Sequence, residues 1–166
     1  MRLVRRGERG QSLVEFTIVI PIFLAMLFGI FDLGRVVWAN NSLAQAAREG
    51  ARYAIVRGGS SLTPCPVGPP GPDAVIPSPS SICPYPSPSK QGVRETALQH
   101  AVAGGTGTTV TVCYGEDCAG DVDAAVNTRG TPVTVRVTST ITLITGSFLG
   151  IGNFNAEGSA TMLVNH

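Results

Sequence analysis

From Phe16 to Phe31 the chain carries no charged side chain, and from Gln11 to Phe31 the single ionisable group is Glu15. At about 1.5 Å of rise per residue, Gln11 to Phe31 makes a helix of roughly 30 Å, the thickness of a bilayer's hydrocarbon core. A single membrane span is the natural reading. It leaves one difficulty, because a carboxylate at the centre of a span costs at least ~2.5 kcal/mol and somewhat less near the interface, where Glu15 falls. Either the side chain reaches the headgroups, or a cation on a neighbouring molecule offsets the cost.

The helix is expected to continue beyond the lipid. From Asp32 to Arg57 the apolar or small residues Leu33, Val36, Val37, Leu43, Ala44, Ala47, Ala51, Ala54 and Ile55 recur at three- and four-residue spacing and mark an amphipathic face. Gly58 and Gly59 then supply a stop. A helix from about Ser12 to Arg57 is on the order of 70 Å long, so about half of it projects past a bilayer. On the projecting half, Ala47, Gly50, Ala51 and Ala54 form a narrow stripe of small residues. It suits either a seat against the chain's own domain or a contact with another helix. Pro21 removes one backbone hydrogen bond and is expected to kink the apolar half, either setting how helices splay or simply being tolerated.

A composition change follows. Between Gly58 and Lys90 lie ten prolines in 33 residues, which forbids regular helix and denies a sheet most of its donors. This stretch reads as a surface loop with extended pieces. Cys65 and Cys83 fall within it, and Cys113 and Cys118 lie further on, near the end of a strand pattern. Outside the cytoplasm these favour disulfides, with three connectivities open. Pairing Cys65 with Cys83 and Cys113 with Cys118 clips two local loops. The spacing does not match paired zinc knuckles.

The remainder reads as a small α+β unit. Ser89 to Ala103 has helical spacing with Ser89 as N-cap, while Thr108 to Tyr114, Thr131 to Thr145 and Ala156 to Val164 alternate apolar with polar residues as strands do. Three strands and one short helix form an antiparallel sheet packed on the projecting half of the long helix. The expected division is residues 1–10 as a basic leader, 11–31 as the span, 32–57 as the projecting helix, 58–90 as the proline-rich loop and 91–166 as the α+β unit.

Signals for chemistry are sparse. No nucleophile elbow, zinc-protease motif or phosphate-binding loop occurs, and neither His100 nor His166 has company that suggests a base. The acids Glu116, Asp117, Asp121 and Asp123 cluster, but without a calcium-loop spacing they read as a solvated loop. Residues 58–166 carry four cations against seven acids, so no basic patch suggests nucleic acid. No enzyme activity and no cofactor is expected.

The N-terminal third resembles a known family. Arg5-Arg6-Gly7-Glu8-Arg9-Gly10, with Gln11 next, Glu15 four residues beyond it and Phe16 following, is similar to a class III (type IVb-like) prepilin cleavage signal. With Val14-Glu15-Phe16, Pro21 and Ala46-Ala47-Arg48-Glu49-Gly50-Ala51-Arg52-Tyr53-Ala54, it resembles the TadE-like minor pseudopilins of tight-adherence (Flp/Tad) pilus systems. The resemblance is specific from about Arg5 to Val56.

It implies that a prepilin peptidase cuts between Gly10 and Gln11, that Glu15 serves assembly by pairing with the new amino group of a neighbouring copy, and that the chain sits in the bacterial inner membrane with its C-terminal part exported. The implied partners are the peptidase, other pilin and pseudopilin subunits, the inner-membrane assembly machinery and the lipid bilayer. Positive charge flanks both ends of the span, so orientation rests on this resemblance. Two rival readings stand beside it. One is an uncleaved single-pass anchor for a periplasmic binding or catalytic module; the other is a secretory signal peptide cut near Ala44-Gln45-Ala46.

Overall fold

A computed structural model describes residues 8–59, 65–71, 83–85, 89–116, 121, 123, 125–146, 150 and 152–165. Five elements follow one another: α1 (Glu8–Ile55), α2 (Gln91–His100), β1 (Thr106–Tyr114), β2 (Pro132–Ile141) and β3 (Phe154–Leu163). The strands form an antiparallel meander in the order β1-β2-β3. The outer half of α1 lies on one face of this sheet, chiefly against β3 and β2, and α2 packs between α1 and β1. The architecture is α+β, with one long N-terminal helix as its axis.

Helix α1 is unbroken over 48 residues and includes Pro21. It is continuous because the apolar run and the projecting amphipathic stretch share one helical register, with no glycine pair or second proline between them. Its buried positions are Asp32, Ala39, Leu43, Ala46, Ala47, Gly50, Ala51 and Ala54, a stripe at three- and four-residue spacing. Leu33 and Val37, expected on this face, are exposed instead. The sheet covers a single arc of the helix, and these two residues lie off that arc.

The sheet follows from alternation. In β2, Val133, Val135, Val137, Ser139 and Ile141 are buried while their neighbours are not. Val135 stands between Val112 on β1 and Ala160 on β3, and Val137 between Val110 and Gly158. Each fully buried valine contributes up to roughly 1.5–3 kcal/mol by leaving water. The opposite face carries hydroxyl pairs, Thr109 with Thr138 at 2.7 Å and Thr134 with Thr161 at 2.9 Å, and the ion pair Arg136–Glu157 at 2.9 Å. One face is dry and the other wet, which fixes the register.

Element ends differ slightly from the sequence expectation. α2 spans Gln91 to His100 rather than Ser89 to Ala103, with Lys90 in the capping position; the Ser89 hydroxyl accepts a 3.3 Å hydrogen bond from the Gln91 amide. Leu98 and Val102 are exposed, and the buried residues of α2 are Gly92, Val93 and Ala97. Small residues win here because α1 comes so close: a β-carbon on Gly50 would stand 3.0 Å from that of Ala97.

Among the described residues of the proline-rich stretch there is one isolated bridge, Val67 with Ser89, and one disulfide, Cys65–Cys83. Closing a loop of that size constrains the unfolded chain by about 3 kcal/mol. Cys113 is also disulfide-bonded, while Cys118, its expected partner, lies outside the described residues.

Candidate functional site

The half of α1 that its own fold leaves bare is the first candidate. Every residue from Gln11 to Phe31 is exposed apart from the half-buried Ile20. Phe16, Ile22, Phe23, Met26, Ile30 and Phe31 all show more than half of their surface. Uncovered apolar area on this scale marks a surface that a membrane or a partner covers. α1 is the one described helix long and apolar enough to cross a membrane.

Four residues singled out in the sequence lie on this bare half. Gly10 is helical and exposed, and a β-carbon there would meet nothing within 4 Å. The fold therefore gives no steric reason for glycine at position 10, although glycine costs a helix about 1 kcal/mol relative to alanine. Gln11 and Glu15 are exposed beside it. Pro21 lies one and a half turns further on, and the Thr17 hydroxyl turns back to donate a 2.7 Å hydrogen bond to the Leu13 carbonyl.

The small-residue stripe has a different destination. Ala47, Ala51 and Ala54 are fully buried under the chain's own sheet and α2, and Gly50 faces Ala97 and the Val135 side chain. Of the two uses open in the sequence, the structure has this stripe seating the helix on its own domain.

Between bare and covered halves stands Asp32, a residue sequence reading passed over. Its carboxylate accepts hydrogen bonds from the Ile144 amide (2.9 Å), the Thr145 amide (2.8 Å) and the Thr145 hydroxyl (2.6 Å), with the Arg35 guanidinium 3.7 Å away. The Thr145 hydroxyl first, then its amide, hold the Asp32 carboxyl below the usual carboxylate range; burial opposes them, and the Ile144 amide and Arg35 assist. Arg35 also donates to the Thr142 carbonyl at 3.3 Å. The segment after β2 is thus fastened to α1 at the first residue beyond the apolar run. The one hint in the sequence was an acid at a membrane boundary, which any solvated aspartate could also explain.

Two of the four clustered acids, Asp121 and Asp123, are structural. β1 is an edge strand, and its outward amides at Val112 and Tyr114 donate to Asp121 (3.0 Å) and Asp123 (3.1 Å). Lys90 pairs with Asp123 at 2.7 Å and Arg94 pairs with Asp121, so α2 and its cap residue neutralise both carboxylates. These acids shield a strand edge that would otherwise invite pairing. For Asp121 and Asp123 that corrects the expectation of a solvated loop. Glu116 is exposed, and Asp117 lies outside the described residues.

A second buried junction is Asn127. Its side-chain amide donates to the carbonyls of Val67 and Arg57, its backbone carbonyl accepts from Gly59 (2.9 Å), and its own amide donates to Pro69 (2.8 Å). One residue therefore ties the end of α1, the proline-rich stretch and the approach to β2.

An open groove of about 650 Å³ runs along α1 past Trp38, Ser42, Arg48, Glu49 and His100. Among the described residues, no three His, Cys, Asp or Glu side chains gather to hold a metal.

These features define a class: a small α+β domain carried on one long helix whose far half is apolar and bare. Within it, residues 10–52 match the family model of TadE-like proteins. TadE-like proteins are associated with tight-adherence pili and are in general not enzymes. The match covers most of α1 and stops before α2 and the sheet. No curated protein and no solved structure matches the chain.

Proposed function

We infer that this protein is a minor pseudopilin of a tight-adherence pilus, anchored by residues 11–31, trimmed by a prepilin peptidase between Gly10 and Gln11, and joined to other pilin subunits and the inner-membrane assembly machinery through the bare half of α1. The observation that carries this reading is the division of one continuous helix. Its outer half is used up by its own domain, down to a fully buried Ala47, Ala51 and Ala54, whereas Gln11 to Phe31 is left uncovered. Contacts with bilayer and neighbours then fall to the bare half, where Glu15 is exposed.

Gly10 supports the cleavage step indirectly. Nothing in the fold requires a missing side chain there, which leaves the position free to serve an outside reader of the sequence such as a peptidase cleft. After the cut, the α-amino group of Gln11 lies about one helical turn from Glu15, near enough in staggered copies for an ion pair that relieves the cost of a carboxylate near lipid.

Sequencing the N-terminus of the protein purified from membranes or sheared pili tests the proposal. A start at Gln11 is expected. An intact Met1 would instead favour an uncleaved anchor, and a start after Ala46 a secretory signal.

A further inference from the structure

The fastening at Asp32 has a consequence for the domain as a whole. Phe31 ends the apolar run, and Asp32 is the next residue. The amides of Ile144 and Thr145 lie 2.9 and 2.8 Å from its carboxylate, so the segment after β2 is held at the height where the helix leaves the hydrocarbon. The interfacial zone on each side of a bilayer is about 5–8 Å deep. A segment hydrogen-bonded to the first residue past the span lies inside that zone.

Its chemistry suits the zone. No residue from Val137 to Ala156 carries a charge. Ile144 and Phe154 are large apolar residues with about 40% of their surface exposed, at the end of the sheet nearest Asp32. On α1, Arg35 is half exposed one turn beyond Asp32, and Trp38 is 62% exposed within the next turn. A cation and an indole bordering an uncharged apolar rim are the side chains that membrane interfaces favour.

We propose that the end of the sheet bearing Ile144 and Phe154 is a second membrane contact, lying in the interfacial layer of the bilayer that α1 spans, with Asp32 holding it there and Arg35 facing the lipid phosphates. This rests on the reading of α1 as a membrane anchor. It makes the domain a body lying on the membrane surface rather than one swinging freely on a stalk. In this state the subunit has to release that contact before it can rise into a filament.

The chain has a single tryptophan, Trp38, which permits a direct test. In a Trp38→Phe background, Ile144→Trp and Phe23→Trp variants of the full chain are reconstituted into phosphatidylcholine/phosphatidylglycerol vesicles with acyl chains brominated at shallow or deep positions. The expected result is blue-shifted Ile144→Trp emission quenched more by shallow than by deep bromines, and Phe23→Trp emission quenched more by deep ones. If Phe23→Trp is quenched while Ile144→Trp emits as a water-exposed indole open to aqueous acrylamide, the surface contact is overturned and the anchor stands. If neither is quenched, the anchor reading fails and this proposal with it. An Ile144→Trp indole shielded from acrylamide yet untouched by bromines means that another protein covers the site, which also overturns the proposal. Phe154→Trp, at a second exposed position, repeats the measurement should Ile144→Trp disturb the fold.

Discussion

Gly158 of β3 lies directly beneath the Leu43–Ala44 peptide of α1, so close that a β-carbon on it would stand 2.3 Å from the Ala44 nitrogen. The obstacle is helix backbone, which cannot swing aside as a side chain can. Gly158→Ala is therefore expected to destabilise the domain by about 3 kcal/mol, the upper part of the overpacking range, or more. Gly34→Ala, also on α1 but with nothing within 4 Å of its new β-carbon, is expected to raise helix stability by up to about 1 kcal/mol. Urea unfolding of the full chain in micelles reads both, and the opposite signs separate a packing effect from a generic glycine effect.

Asn127→Ala removes the donor that serves the Val67 carbonyl, while the Arg57 carbonyl keeps the Val67 amide at 2.9 Å. One buried acceptor is left without its partner, at a cost of about 1–3 kcal/mol. Asn127→Asp is expected to be worse, because it turns a carboxylate oxygen towards two carbonyls in a buried site. Limited proteolysis between Arg57 and Ser89 should follow the same order.

Asp32 makes the attachment of the Ile144–Thr145 segment sensitive to acid. Its folded pKa is depressed below the ordinary value of about 3.9. The stabilisation is thus fully present above that ordinary value and is lost as pH falls through the lower folded pKa. Amide signals of Ile144 and Thr145 are expected to hold constant from pH 7 to about pH 4 and to shift or broaden below it, whereas Asp32→Asn abolishes this step. An unchanged acid profile in that variant would remove Asp32 from the account.

On the bare half of α1, replacing Gly10 by a bulky residue is expected to leave a longer precursor in the membrane, since the fold itself has room for a side chain there. Glu15→Ala should still be trimmed yet fail to enter pili. Immunoblots of membrane and sheared-pilus fractions check both, and normal incorporation of the Glu15 variant would refute its assembly role.

How much of this was written in the sequence depends on the range of each interaction. α1 was expected from Ser12 to Arg57 and runs from Glu8 to Ile55, because uncharged length and helical spacing are local properties. The strands were legible for the same reason: Val133, Val135 and Val137 alternate with polar residues whatever lies above them. The Cys65–Cys83 pairing was within reach as a short loop. Leu33 and Val37 were misplaced because hydrophobicity says that a residue is able to pack, not which arc of a helix a sheet will reach. Asp121 and Asp123 were misread because solvation and edge capping look alike until β1 and α2 are brought beside them.

By itself, the sequence determined that a single long helix must exist, that its first half belongs in an apolar medium, and that an α+β unit follows a proline-rich connection. These rest on composition and periodicity, which act between near neighbours in the chain. Only the tertiary structure decided that Ala47, Gly50, Ala51 and Ala54 are spent on the chain's own domain, that Asp32 holds a segment 112 and 113 residues away, and that Asn127 joins carbonyls 60 and 70 residues distant. A hydrogen bond depends on placement to within a few tenths of an ångström, here between groups that the sequence separates by 60 to 113 residues, and nothing local records it.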